Sequence, residues 1–207
     1  MEFRLTYEGA LPSSRSKGQT YDKKWKIKHH LRKHFHKQLK KYWQENSVLK
    51  SILSHHKSPG LNMDPIYEPM LHRSEFFNWL PLVIEQNNIE CRLDILYLRN
   101  GARGKVVSKS DIDNRIKTLL DALKRPTSAE ILEHAKPDSD EDPFFVLLED
   151  DRVISHLSIE TDTLLYPSGD ASADVSTDSR IIIKVTIKPT SYSWMWDITA
   201  TQARNRT

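Results

Sequence analysis

Four residues have the types and spacing to do hydrolytic chemistry: Asp111 and Asp113, Lys117 four positions on, and Asp151 at the end of Glu149-Asp150-Asp151. Asp111-x-Asp113 stands where a loop gives way to a helical pattern. Both side chains are short, so their oxygens stay close to a rigid backbone and can hold one hard cation together. Asp151 opens a strand pattern after a second acidic run and can return to the same point. Three carboxylates without His or Cys suit Mg2+ or Mn2+, which prefer oxygen ligands. Such a cation activates water and neutralises a phosphoryl oxygen in hydrolysis. Lys117 shares a helix face with Asp113. There an ammonium can neutralise a carboxylate, hold a scissile phosphate or help activate water. The same residues have a plainer reading. Ser110, Asp111 and Asp113 all favour a helix start, and an Asp–Lys pair one turn apart is commonly a surface contact worth about 0.2–0.5 kcal/mol.

The elements that must position these groups are readable from periodicity. Ile116, Leu119, Leu120 and Leu123 recur at helical spacing, which predicts a helix to about Lys124 behind the Asp-x-Asp. Cys91, Leu93, Ile95 and Tyr97 alternate with other residues and predict a strand leading in. Val153, Ser155, Leu157 and Ile159 predict a strand leading out of the acid pair, and Ile181, Ile183, Val185 and Ile187 a last strand closed by Pro189. Residues 166–179 read as a flexible link, so the last two strands are expected to pair as a hairpin. Near the start, Phe3, Leu5 and Tyr7 alternate as a half-buried strand. Ile27, Leu31, Phe35, Leu39 and Tyr42 form one apolar stripe on a helix from about Asp22 to Trp43. Lys26, Lys33, Lys37, Lys40 and Lys41 fall on its opposite face, expected in water. A short helix is expected around 48–54.

The net charge of +3 hides two opposed blocks. Residues 15–41 carry eleven Lys/Arg against Asp22 alone, and residues 128–151 carry nine acids against Lys136 alone. A basic block of this kind suits a polyanionic partner, with a solvated helix face as the alternative. Lys33, Lys37, Lys40 and Lys41 are the candidate DNA-binding residues. Apolar residues make up 38% of the chain and charged residues 29%, enough for one core but without an apolar run of bilayer length. No membrane association is expected. Met1–Tyr7 lacks the apolar core of a secretory signal. Cys91 is the single cysteine, which excludes an intramolecular disulfide and paired-cysteine zinc sites, so a reducing, cytoplasmic setting is expected.

Asp111-Ile112-Asp113-Asn114-Arg115-Ile116-Lys117, continued by Asp121-Ala122-Leu123, resembles the Asp-x-Asp-Asn-x-x-Lys…Asp-Ala-Leu signature of the RusA-like Holliday junction resolvases, commonly carried by prophages. Asp150-Asp151-x-Val153 resembles the acid turn that follows in that family. The similarity covers about residues 89–125 and 147–188; the first forty residues match in outline. It implies an α+β fold, a mixed sheet packed with helices. It also implies a Mg2+-dependent homodimer acting on branched DNA, specifically the four-way (Holliday) junction, in recombination and repair. Asp111, Asp113 and Asp151 would be the metal-binding catalytic carboxylates, with Asp150 as the alternative third acid, and Lys117 the catalytic lysine. Two features depart from the family. The crossing to the acid pair is longer and strongly acidic, and residues 45–88 lengthen the chain.

The expected organisation is a single domain over 1–190, with an irregular insertion near 45–88, an acidic loop near 126–149 and a tail over 191–207. Three rival functions make different demands on the residues. A non-catalytic DNA-binding protein would need the basic helix and not the acids. A nucleotidyltransferase should show a Gly-Ser phosphate turn upstream, and none is present; a sugar-nucleotide transferase needs a larger nucleotide-binding domain. His30 and His34 have zinc-ligand spacing but no surrounding metalloprotease motif.

Overall fold

The computed structural model describes residues 1–11, 21–56, 67–73, 77–99, 109–127, 130, 138, 140–165 and 179–190. Their order is β1 (Glu2–Gly9), α1 (Tyr21–Glu45), α2 (Ser47–His56), α3 (Tyr67–Met70), β2 (His72–Arg73), β3 (Asn78–Val83), β4 (Ile89–Arg99), α4 (Lys109–Leu123), β5 (Phe144–Leu148), β6 (Ile154–Thr163) and β7 (Ser179–Pro189). The class is α+β, as expected, but the strands divide into two sheets.

The larger sheet has the order β1-β7-β4-β6. Alternation works as the sequence predicts: Leu5 and Tyr7, Cys91, Leu93, Ile95 and Tyr97, and Ile181, Ile183, Val185 and Ile187 are buried on one face. The opposite face carries charges paired across strands, Arg180 with Glu8 at 2.6 Å and Lys184 with Glu2 at 3.3 Å. The expected hairpin of the last two strands does not form. β7 pairs antiparallel with β4 on one side, and β6 pairs parallel with β4 on the other. Composition explains the choice. β7 has four buried aliphatics and takes an interior place, whereas β6 is rich in Ser, His, Thr and acids and takes the edge. Thr163 and Ser179 both register with Arg99, so the link need only cross the end of one strand, about 10 Å.

The second sheet, β2-β3-β5, comes from segments expected to be irregular. β3 lies inside the supposed insertion, and β5 inside the supposed acidic loop. Both are almost wholly buried, so neither alternates, and a strand covered on both faces reads as a continuous apolar run. Pro81 sits within β3, yet β2 pairs only with Trp79 and Asn78, so the proline lies beyond the reach of that neighbour. Trp79, Phe144 and Val146 pack on one face. Leu80, Leu82, Phe145 and Leu147 join the main core on the other.

α1 spans this assembly. Leu31, Phe35, Leu39 and Trp43 are buried, and Phe3 stacks on Tyr42 with ring centroids 4.1 Å apart. His36 is also buried. Its Nδ1 accepts the Phe145 backbone N–H at 2.9 Å, and its ring lies 4.2 Å from that of Phe144. Burial, and secondarily the nearby Lys40 ammonium, outweigh the pull of Glu141 and Asp140 and push its pKa down to about 4.

This buried imidazole predicts a pH dependence. The unfolded chain binds a proton near pH 6.5 that the folded chain refuses until about pH 4. Stability contributed by His36 is therefore full above pH 6.5 and is lost as pH falls towards 4, by up to about 3 kcal/mol. His36→Gln, which keeps an acceptor for Phe145 but cannot titrate, should flatten urea-unfolding free energies across that window relative to the parent chain.

Candidate functional site

α4 carries its apolar residues on one side, with Ile116, Leu119, Ala122 and Leu123 buried. Asp113, Lys117, Asp121 and Lys124 follow at steps of four, four and three, so they form one stripe along the helix and just beyond its end. Asp113 and Lys117 are exposed. Asp111 belongs to the first turns of α4, but its side chain lies outside the described residues.

Asp151 comes to the other end of this stripe. Lys124 forms a parallel bridge with Leu148, and the Arg125 N–H donates to the Leu148 carbonyl at 3.0 Å. That pairing sets the end of α4 beside the turn after β5. Three neighbouring acids then take different roles. The Glu149 backbone N–H donates to Val83, and its carboxylate accepts from the Glu85 N–H at 3.1 Å, tying the turn to the chain after β3. Asp150 caps a short 3-10 turn (Asp151–Val153) by accepting from the Arg152 N–H at 3.1 Å, which holds its carboxyl below the usual range. Asp151 reaches away from its own turn to Lys124, 3.0 Å from Nζ. It begins this 3-10 turn, not β6 itself.

Lys124 also lies 3.6 Å from Asp121, so one ammonium sits between two carboxylates. Burial alone would lower the Lys124 pKa; the hydrogen bond it donates to Asp151 and the charges of Asp121, Asp151 and Asp150 outweigh this and raise it. On its other oxygen Asp121 meets Lys28 of α1 at 2.5 Å. The structure therefore gathers Asp151 with Asp121, Lys124 and Lys28. Asp113 stands eight residues up the helix from Asp121, a rise of about 12 Å. Among the described residues, no three His, Cys, Asp or Glu side chains cluster as metal ligands. Asp121 was visible in the sequence as part of the Asp-Ala-Leu signature, and its spacing of four from Lys117 was the signal that it joins the stripe.

Arg32 is the residue sequence reasoning missed. It is buried, its Nη2 donates to the Asp121 carbonyl at 2.8 Å and its Nε to the Lys124 carbonyl at 3.3 Å. These carbonyls lie at the C-terminal end of α4, where backbone acceptors lack helical partners and a cation is favoured. Burial lowers its pKa to about 10, opposed by Glu130 and Asp121, so it stays charged at neutral pH.

Two of the four expected DNA-binding lysines, Lys33 and Lys40, meet the acidic block instead of standing in water. Lys33 contacts Asp138 at 2.6 Å and Glu141 at 3.4 Å. Lys40 donates to the Asp140 carbonyl at 3.2 Å, and Lys41 pairs with Glu45 at 3.7 Å. Lys37 is exposed. Glu141 is itself buried and accepts the Asp138 N–H at 2.9 Å, while Asp142 accepts from the Asn78 N–H at 3.2 Å. The acidic turn is thus anchored to both α1 and β3. Of the possible zinc pair, His30 is exposed and His34 bonds the Thr6 carbonyl. Cys91 is buried, which pushes its thiol up to about 12.

Comparison with protein-family models, curated proteins and solved structures finds no match to this chain, so the resemblance rests on the quoted residues.

The Arg32 contact generates a stability prediction. Arg32→Met should cost about 2–4 kcal/mol in urea unfolding, because two buried carbonyls lose a charged donor. Arg32→Lys should recover only part, since one ammonium does not reproduce the guanidinium fork. An unchanged unfolding midpoint in Arg32→Met would show that α1 and α4 are held together by apolar packing alone.

Proposed function

We propose that the chain is a Mg2+-dependent, structure-selective endodeoxyribonuclease that resolves four-way DNA junctions by paired phosphodiester hydrolysis, acting as a homodimer. The observation that carries this reading is the α4 stripe: the residues of the Asp-x-Asp-Asn-x-x-Lys…Asp signature run as alternating acid and lysine towards the acid turn that the same resemblance selects. Asp111, Asp113 and Asp151 are the proposed metal carboxylates, and Lys117 the lysine that meets the scissile phosphate. Asp151 supplies oxygen donors beside Asp121, while Asp113 stands about 12 Å up the helix from Asp121. Asp121 and Asp151 already share a cationic group, the Lys124 ammonium, and oxygen donors of this kind suit Mg2+. When bound, Mg2+ supplies activated water and charge neutralisation at phosphorus. A dimer suits two nicks in a substrate of approximate two-fold symmetry. No helix among the described residues is long and apolar enough to cross a membrane.

The second reading is DNA binding without cleavage. It is favoured by the lysines that already neutralise Asp121 and Asp151. The two readings separate in one experiment. The protein is incubated with a mobile four-way junction, with and without Mg2+. The nuclease reading expects symmetric nicks with Mg2+ only. Asp111→Asn, Asp113→Asn and Asp151→Asn should each lower the rate about a hundredfold or more, with metal-free binding retained. Wild-type cleavage rates in Asp113→Asn would sink the assignment.

DNA affinity should answer to the charge blocks. Replacing Lys33, Lys37, Lys40 and Lys41 with Gln should weaken duplex and junction binding together and shrink the salt slope by up to about four units. Asp138→Asn with Glu141→Gln should act oppositely, releasing Lys33 and steepening the slope by about one. A salt series of binding isotherms measures both. An unchanged slope in the lysine variant would move the DNA-binding surface elsewhere.

A further inference from the structure

The two edges of the larger sheet are treated differently. At β1, the Thr6 N–H donates to the Gln38 side chain at 2.9 Å, and the Thr6 carbonyl takes bonds from Gln38 at 2.7 Å and His34 at 2.9 Å, so α1 occupies that edge. At β6, ten residues long, the described residues place no strand outside it. β6 carries neither Pro nor Lys, residues that commonly protect an edge from pairing. Its Leu157 and Ile159 register with Leu93 and Ile95, which are 0% and 2% exposed, yet they are themselves each 39% exposed. Among the described residues, the core face of the sheet runs out to a partly exposed edge.

We propose that β6 is a self-pairing strand, which joins two copies of this chain edge to edge and antiparallel about a two-fold axis at Ser158. The register follows from symmetry. An axis perpendicular to the sheet keeps every side chain on its own face, so it must pass between a residue and its own copy. Centred on Ser158, it sets Leu157 opposite Ile159 of the second copy, twice, on the core face. On the other face it sets His156 opposite Glu160 of the second copy, twice, as donor and acceptor. Ser155 meets Thr161. Moving the axis to Leu157 sets Ser155 against Ile159 and His156 against Ser158. Moving it to Ile159 sets Leu157 against Thr161 and Glu160 against Ser158. An axis at Ile159 also sets His156 opposite Asp162, but only the Ser158 register gives both Leu157 and Ile159 apolar partners while setting His156 opposite a carboxylate, the kinds of cross-strand pair that stabilise sheets. Main-chain hydrogen bonds of the added strand supply affinity, and these side chains supply the register.

This inference deepens the dimer of the proposed function but is tested without DNA. The full-length chain is examined by sedimentation equilibrium at micromolar concentration and should be dimeric. Leu157→Lys with Ile159→Lys, at already exposed positions, should weaken association about a hundredfold while the thermal melt of the monomer persists. Ser158→Cys should form a disulfide-linked dimer on mild oxidation, because opposed residues in an antiparallel pair lie about 4.5–5.5 Å apart between Cα atoms, within disulfide reach. His156→Cys and Glu160→Cys, which face unlike positions, should not. His156→Glu should weaken the dimer and His156→Glu with Glu160→Lys should restore it. A monomeric parent chain, or a dimer that neither cross-links through Ser158→Cys nor responds to the paired lysines, overturns the proposal. A dimer with these properties that cuts no junction keeps it and removes the nuclease reading, and an active nuclease that stays monomeric does the reverse.

Discussion

The arrangement of helices and acids depends on one buried cation. Arg32 projects from the middle of α1 into the C-terminal end of α4 and binds two backbone carbonyls there. A guanidinium without water needs acceptors, and a helix end offers them in the orientation that its dipole already favours for positive charge. That contact joins α1 to the end of α4. It also sets Lys28, one turn earlier on α1, against Asp121. Because the chain leaving α4 pairs at once with the end of β5, the same junction delivers the Glu149–Asp151 turn to the stripe. Displacement of α1 would therefore disturb carboxylates that α1 touches only through Asp121.

Charge is distributed with similar economy. The formal net charge is small because two large blocks oppose one another, and the structure brings them into contact. Lys33 and Lys40 are met by the acidic turn, whereas Lys37 is left to solvent. At the α4 end, Lys28 and Lys124 balance Asp121 and Asp151. Both places have the same design: a group suited to bind an external ion or phosphate is held by an internal counter-ion of opposite sign. Such exchangeable partners are weak when half-exposed and screened by salt.

Local pattern carried much of this fold. α1 and α4 were legible because their apolar residues repeat at helical spacing, and β1, β4, β6 and β7 because each has alternation in its own sequence. β3 and β5 were not, since strands buried on both faces lose the alternation that identifies a strand, and Pro81 reads as a breaker unless its neighbour is known to be short. The pairing of β6 with β4 instead of β7 is a non-local choice, settled by which strand is apolar enough for an interior place. Residue type and spacing nominated Asp113, Lys117 and Asp151; of these the structure brings only Asp151 to Asp121, Lys124 and Lys28. Arg32 was hidden in a run of basic residues: nothing local distinguishes a cation that will be buried from those that stay in water.

The sheet edges have a consequence for solution behaviour beyond the fold. A sheet open at both sides can add strands without limit, and chains with two such edges grow into linear arrays. Here the Gln38 and His34 side chains occupy the β1 edge at Thr6, whereas the described residues place no strand beyond β6. If two copies pair through β6 as proposed, edge-to-edge growth through this sheet would stop at the dimer. The β1 edges of such a dimer would face outward, each with its Thr6 backbone groups held by two side chains of a helix whose other faces pack the core and carry the charge.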